Sequence, residues 1–285
     1  MTTDIQEFTS QDFTYVRHGE RVMNLRLVRP AGGGPFPAVI DIHGGAWNNS
    51  GPESCQERGE VLAASGIAAA ALEFRHGPER YPSSLQDINY AVRWMKANAH
   101  ELDIDAARIG LTGQSSGGHL AMLAAMRPAD PRYAEIALES GAEGIDAGVQ
   151  CVGMLWPVIN PLSRYRYARR LNAGANPPKW SGHIPECHDT YWLTEEAMAE
   201  GNPMLALERG EAVETPPAIW IQGQPDDVHD YVDTDSGQEQ TEPERFAANY
   251  REAGGEIEVL YIDNDTRSSQ STFQALADFL RKHLA

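Results

Sequence analysis

The sequence has few cysteines and few basic residues, and each shortage excludes classes of protein. Three cysteines (Cys55, Cys151 and Cys187) stand far apart in 285 residues, and none belongs to a Cys-x-x-Cys pair. This spacing argues against a disulfide framework and against a zinc knuckle. Lysine and arginine number 23 against 41 aspartates and glutamates, which gives a formal net charge of −18. So acidic a chain is unsuited to nucleic acid and to anionic membranes as partners.

The sequence also lacks long apolar runs. No stretch reaches about 18 consecutive apolar residues, the length at which a membrane-spanning helix is expected. The N-terminal residues Met1–Glu7 contain neither the basic segment nor the apolar segment of a secretory signal peptide. These observations predict a cytoplasmic protein without a membrane partner, and they leave open whether it forms a homodimer.

The most specific signal in the chain centres on Ser115. The apolar run Ile109–Thr112 is followed by Gly113-Gln114-Ser115-Ser116-Gly117, and then by an Ala/Leu/Met-rich run at helical spacing. This pattern predicts a strand, a sharp turn and a helix, with the serine on the turn. The turn would strain the serine backbone, and a Cβ at either flanking glycine would collide with a neighbouring strand or helix. The hydroxyl would then stand exposed at the edge of a sheet, facing the N-terminus of the helix.

Apolar strands alternate with helices along the rest of the chain. Strands are predicted at Phe13–Arg17, Arg21–Val28, Ala38–Ile42, Ile67–Phe74, Val149–Val158, Ala218–Gln222 and Glu256–Ile262. Helices are predicted at Pro52–Ser65, after a cap at Ser83 or Ser84, at Pro243–Ala253 and at Ser271–Leu284. The alternation is typical of a mostly parallel, doubly wound sheet, here in one α/β domain over residues 1–285. Residues 159–213 interrupt it and are interpreted as a modest cap-like insertion.

A glycine pair after the first buried strand suggests where a reacting carbonyl would be stabilised. The strand Ala38–Ile42 runs directly into His43-Gly44-Gly45-Ala46-Trp47. The amide N–H groups of Gly45 and Ala46, with that of Ser116, could converge on one oxygen atom and form an oxyanion hole. His43 is interpreted as a residue that fixes this loop through its backbone rather than as a catalytic base.

Taken together, these motifs resemble those of a known enzyme family. His43–Trp47, Arg75–Pro82 with Asp87, and Gly113–His119 look like the motifs of hormone-sensitive-lipase-type esterases, which have the α/β-hydrolase fold. The chain is similar to the feruloyl-esterase-like, acetylesterase-like and kynurenine-formamidase-like branch. The resemblance implies a serine hydrolase of carboxylic esters or amides that needs no cofactor. The favoured function is cleavage of a small or medium carboxylic ester through an acyl-enzyme, and no metal site is expected. By match to the motif, Ser115 is the nucleophile.

The resemblance also points to the acid of the site. In this family the acid follows the next-to-last strand in a Gly-x-x-Asp pattern, and Gly223-Gln224-Pro225-Asp226 fits that pattern. Asp226 is therefore the preferred acid, with Asp227 next to it as the alternative.

The histidine that the family carries after its last strand is missing. Residues Tyr261–Gln270 contain no histidine, and the only one further along the chain is His283, in the predicted terminal helix. Without a base, the serine hydroxyl stays protonated, and general-base assistance worth about 10²–10⁴-fold is lost.

Three interpretations of this departure stay open at the level of sequence. In the first, His229 serves as the base, and Asp263 or Asp265 orients it, so that two loops exchange acid and base. In the second, the chain has lost its base and is an impaired relative that binds a ligand in the same pocket. In the third, the site supports other chemistry, in which an aspartate or Arg267 takes a new role. The weaker histidine candidates are His183 and His188.

Overall fold

The computed structural model describes residues 8–139, 142 and 144–285, and its centre is an eight-stranded mixed sheet. The strands are β1 (Phe8–His18), β2 (Arg21–Pro30), β3 (Phe36–Ile42), β4 (Ala68–Leu72), β5 (Ile104–Gln114), β6 (Val152–Leu155), β7 (Ala218–Gln224) and β8 (Ile257–Asp263). Their spatial order is β1-β2-β4-β3-β5-β6-β7-β8. The β1–β2 and β2–β4 pairs are antiparallel, and the five other pairs are parallel. The predicted fold class is confirmed.

Helices cover both faces of this sheet. They are α1 (Gln56–Ala64), α2 (Ser83–Ala97), α3 (Ala99–Leu102), α4 (Ser116–Met126), α5 (Pro161–Asn172), α6 (Ile184–Trp192), α7 (Glu195–Glu200), α8 (Pro203–Glu208), α9 (Glu242–Glu252) and α10 (Gln270–His283). Helices α1 and α10 share the smaller core, and α2, α4 and α9 pack into the larger one. Among the helices described, none is long and apolar enough to cross a membrane.

The alternation of side chains along β3 separates the two cores. Ala38, Ile40 and Ile42 lie in the larger core, whereas Val39 lies in the smaller one. Successive side chains of a strand point to opposite faces, so Asp41 faces the same side as Val39. That side is covered by α1, which supplies the partner of Asp41.

A buried ion pair joins β3 to α1 beneath the turn at Ser115. Arg58 on α1 binds Asp41 with both arms, at 2.8 Å from Nε and 2.6 Å from Nη2, and both side chains are almost fully buried. The Nη1 of Arg58 also donates to the side-chain oxygen of Gln114, at 2.9 Å. The pair therefore links the end of β3 to the residue that precedes Ser115.

Several local predictions differ from the structure, and the first strand, predicted at Phe13–Arg17, already begins at Phe8. The predicted strand Val149–Val158 is too long, because pairing ends at Leu155 and the chain turns at Trp156, whose φ is 35°. The predicted serine cap of α2 is wrong: Pro82 occupies the N-cap position, and the hydroxyls of Ser83 and Ser84 bind carbonyls of the preceding loop instead. In the region interpreted as a cap, helices α5 to α8 lie between β6 and β7.

We expect Asp41→Asn to lower the free energy of unfolding by about 3–5 kcal/mol, because it leaves the buried Arg58 guanidinium without its anion. Urea denaturation would measure this loss. Asp12→Asn is the matched control, since Asp12 and Arg26 form a similar two-armed pair at the surface. We expect that change to cost less than about 1 kcal/mol. Equal losses in the two variants would contradict the role given to the buried pair.

Candidate active site

Ser115 lies on the sharp turn between β5 and α4. Its backbone has φ 52° and ψ −121°, a conformation that costs energy in a residue with a side chain. The turn is held by hydrogen bonds from the Ser115 amide to the Leu155 carbonyl, 2.9 Å, and from the Val158 amide to the Ser115 carbonyl, 3.1 Å. A Cβ at Gly117 would lie 2.1 Å from the carbonyl oxygen of Ile42, so this position requires glycine. The close approach of α4 to β3 fixes where the serine stands.

A hydrogen-bonded chain of three side chains begins at this serine. The Ser115 Oγ lies 3.1 Å from Nε2 of His229, and Nδ1 of the same ring lies 2.9 Å from Oδ2 of Asp226. Because the ring donates Nδ1–H to the carboxylate, its Nε2 lone pair is left to accept the serine proton. Ser115 is half-buried, while His229 and Asp226 are buried. The hydroxyl is therefore accessible, and its partners are shielded from water.

Acid and base candidates lie on one segment, residues 225–231 after β7, which we call the acid–base loop. The loop turns so tightly that the Asp226 carbonyl accepts from the amide of His229, at 3.3 Å. The other carboxylate oxygen of Asp226 accepts from the amide of Val228, at 3.0 Å. Asp227 is exposed. Of the two adjacent aspartates, Asp226 is the one that contacts the imidazole.

Asp263 and Asp265 do not orient His229, contrary to the first interpretation of the sequence. Both are exposed, and an oxygen of Asp263 accepts from the amide of Asp265, at 3.0 Å. Asp226 already occupies the Nδ1 side of the imidazole. The two loops therefore do not exchange acid and base.

The other histidines considered for the base bind elsewhere. His188 is buried and pairs through Nδ1 with the Ile184 carbonyl, at 2.9 Å, whereas His183 is exposed at the start of α6. His283, at the end of α10, packs on Phe279. In the part of the chain that the structure describes, only His229 pairs with the Ser115 hydroxyl.

The loop after β3 places its amides near the same serine. Gly45 and Ala46 both have positive φ, 101° and 51°. A Cβ at Gly45 would lie 2.0 Å from the carbonyl oxygen of Asn49, so this position also requires glycine. The Trp47 amide donates to the Ser116 hydroxyl, at 3.1 Å, which ties the loop to α4. Across the described residues, the amides of Gly45, Ala46 and Ser116 donate to no protein acceptor, so they can serve an oxyanion.

Two histidines near this loop have structural contacts. His43 pairs through Nδ1 with the Gly44 carbonyl, at 2.9 Å, and burial lowers its pKa to about 4. His119 accepts from the Trp47 indole, at 3.2 Å, and its other nitrogen donates to the Gly201 carbonyl, at 2.8 Å. Burial lowers the pKa of His119 to about 4 as well, so the ring stays neutral. The sequence analysis did not predict this link between the loop after β3 and Gly201, the residue that follows α7.

Burial and hydrogen bonding shift the pKa of both members of the acid–base pair. Burial lowers the pKa of His229 below its usual value, although the hydrogen bond and charge of Asp226 oppose that shift. Burial would raise the pKa of Asp226, but the hydrogen bonds from His229 and the Val228 amide, together with the nearby positive charge of Arg267, outweigh burial, and the pKa falls below its usual range. At neutral pH the pair is therefore an uncharged imidazole on an ionised carboxylate.

Arg267 lies after β8, in the segment where the resemblance leads one to expect the histidine. Its Nη1 lies 3.5 Å from Oδ2 of Asp226, and its guanidinium stands over the ring of Trp156, 5.2 Å from the ring centre. The charge of Arg267 helps to lower the pKa of Asp226. Arg267 and His229 therefore contact the same carboxylate oxygen of Asp226.

Comparison of the sequence with known proteins gives partial matches. Residues 25–152 match the BD-FAE family model. Esterase LipC of Mycobacterium tuberculosis is 33% identical over 122 residues, which are 42% of this chain and 30% of LipC. Ethyl acetate hydrolase of Pseudomonas putida is 25% identical over 229 residues, 77% of this chain and 66% of that protein. The chain spans less than a third of the length of the mycobacterial relatives that it matches.

Comparison with solved structures extends over the whole chain. Carboxyl esterase 2 of the fungus Tuber melanosporum superposes with a TM-score of 0.73 at 16% identity, covering 99% of this chain and 89% of that one. EstE1, a carboxylesterase cloned from a metagenomic library, gives 0.73 at 19% identity, covering 99% and 92%. At these identities the likeness shows a shared fold. The chain therefore has the α/β-hydrolase fold of these esterases, and the sequence relatives that it matches in part are named as esterases and carboxylic ester hydrolases.

Proposed function

We propose that the protein is a serine hydrolase that cleaves small or medium carboxylic esters through an acyl-enzyme. The observation that carries the proposal is the hydrogen-bonded chain from Ser115 through His229 to Asp226. A serine with an aligned base and acid, next to amides that have no acceptor among the described residues, is suited to attack a carbonyl carbon. The names of the relatives, an esterase and an ethyl acetate hydrolase, support the same class of substrate.

Each group has a defined part in this reaction. The Oγ of Ser115 attacks the ester carbonyl while Nε2 of His229 takes its proton, and the Asp226 carboxylate stabilises the imidazolium that forms. The carbonyl oxygen becomes an oxyanion held by the amides of Gly45, Ala46 and Ser116, each of which is typically worth about 3 kcal/mol. The imidazolium then protonates the leaving alcohol. Water, deprotonated by His229, releases the acid from Ser115 in the second half.

The alternative from the sequence is an impaired relative that only binds a ligand. Its premise was the missing histidine after the last strand, and the pairing of His229 with Ser115 weakens that premise. The proposed partner is a small-molecule ester substrate, and the proposed reaction uses no cofactor. A cytoplasmic location and a homodimer stay predictions.

Ser115 should react once per chain with an organophosphonate, and intact mass would show one added label. We expect no label on Ser115→Ala, and labelling of His229→Ala slower by about 10²–10⁴-fold, because general-base assistance is lost. His283→Ala is the control histidine and should react like the wild type. An unlabelled wild type would favour the ligand-binding alternative, and an unimpaired His229→Ala variant would mean that another group is the base.

Asp226→Asn should lower kcat for p-nitrophenyl acetate by about 10³–10⁴-fold, because the amide no longer holds the imidazole in the tautomer that accepts the serine proton. The neighbouring exposed carboxylate gives a matched control: Asp227→Asn makes the same change beside it and should leave kcat within about twofold. Steady-state kinetics of the two variants decides between them. Equal effects would remove Asp226 from the role of acid.

The activity should depend on pH through His229. Only the neutral ring can accept a proton, so kcat/KM for p-nitrophenyl acetate should fall as the pH is lowered and His229 becomes protonated. Because the pKa of His229 is lowered, the midpoint of this fall should lie below about 6.5, the ordinary histidine value. Above that midpoint the rate should stay level through neutral pH. A pH–rate profile measures this directly, and a midpoint above 7 would contradict the environment described for the ring.

A further inference from the structure

Helix α5 places a buried cation against the acid–base loop. The Nη1 of Arg164 donates a hydrogen bond to the carbonyl of Val228, the residue directly before His229. Arg164 is only 4% exposed, and its guanidinium carbon lies 4.7 Å from the centre of the Trp180 ring. The cation is therefore packed between an aromatic face and the backbone that carries the candidate base.

This cation has no carboxylate bound to it within the described residues. Its Nε is buried and makes no hydrogen bond to the described chain. The comparison is Arg58, which is buried to the same degree but binds Asp41 with two arms and Gln114 with the third nitrogen. An uncompensated buried charge lowers stability, so such a residue indicates a function that the charge serves.

The charged groups facing His229 come from three parts of the fold. Asp226 lies on the same loop, Arg164 on α5, and Arg267 after β8. Around Arg164 stand three further titratable groups. They are His188, whose pKa burial lowers to about 3, and the phenols of Tyr231 and Tyr167, whose pKa values burial raises. All three are uncharged at neutral pH. Arg164 is thus one of two cations whose field reaches the imidazole.

We propose that Arg164 is a positioning residue for the reaction: it fixes the Val228 carbonyl so that His229 points at Ser115, and it places a positive charge beside the segment that carries the imidazole. The assignment rests on the proposed function of His229 as the base. A neutral ring can accept the serine proton. The imidazolium formed next to a cation is then a stronger acid, which favours transfer of its proton to the leaving alcohol.

The test compares three substitutions of Arg164 in the full chain. In Arg164→Met and Arg164→Gln, the acid limb of kcat/KM for p-nitrophenyl acetate should move up by about one pH unit, because a nearby cation is removed. The plateau should fall about 10- to 100-fold as the ring loses its alignment. Arg164→Lys keeps the charge but not the flat two-armed group, so it should lower the plateau and leave the limb in place. Arg164→Gln retains a donor for the carbonyl and serves where Arg164→Met does not fold.

The control is Arg166→Met, which removes the same charge two positions along α5, where the Arg166 side chain is 43% exposed and pairs with Glu195. We expect it to leave both limb and plateau unchanged. Circular-dichroism melting identifies the variants that are folded. If Arg164→Met or Arg164→Gln is folded and keeps the acid limb of the wild type, the role proposed for Arg164 is wrong, and the proposed function is unaffected. Failure of the wild type to label at Ser115 would instead overturn the proposed function, and this assignment with it.

Discussion

The close contact between the start of α4 and the end of β3 is the constraint on which the site depends. With no Cβ at Gly117, the helix backbone comes close enough to Ile42 that the chain between β5 and α4 must turn within one residue. That residue is Ser115, and its positive φ is the cost of the turn. The buried Arg58–Asp41 pair also stabilises this turn, because Arg58 donates a hydrogen bond to Gln114, the residue before Ser115. Packing of the whole sheet therefore determines the position of one hydroxyl.

Placing Asp226 and His229 three residues apart changes how the rest of the site is built. Two groups on one tight loop need no folding of distant segments to find each other, since the backbone bond from the His229 amide already closes the turn. The orientation of the loop toward Ser115 then depends on contacts with the rest of the fold. Gln222 on β7 and Arg267 after β8 provide two of them, since both donate hydrogen bonds to the Asp226 carboxylate. The segment after β8, where a histidine was expected, carries Arg267, which contacts Asp226 instead.

The fold could be predicted from the sequence because it rests on local patterns: apolar strands, alternating helices and the glycines around Ser115. The glycines after β3 likewise indicated Gly45 and Ala46 as candidates for an oxyanion hole. Asp226 was a candidate through the family resemblance, and His229 became one because the histidine that the resemblance implies is missing. They did not show which aspartate orients the histidine, because exposure decides it: Asp263 and Asp265 face solvent, while Asp226 is buried against the ring. Long-range links such as Trp47 with His119 have no signal in sequence spacing, because 72 positions separate the two residues.

Two buried arginines of this chain show how stability and function can place opposite demands on the same side chain. Arg58 donates hydrogen bonds to Asp41 and Gln114, and it thereby connects α1 with β3 and with the turn at Ser115. Arg164 has one backbone acceptor and an aromatic face, and no carboxylate neutralises it within the described residues. A carboxylate bound to Arg164 would compensate the charge, but it would also raise the basicity of the neighbouring imidazole. The uncompensated charge therefore adds to the burial that keeps His229 neutral beside an ionised Asp226.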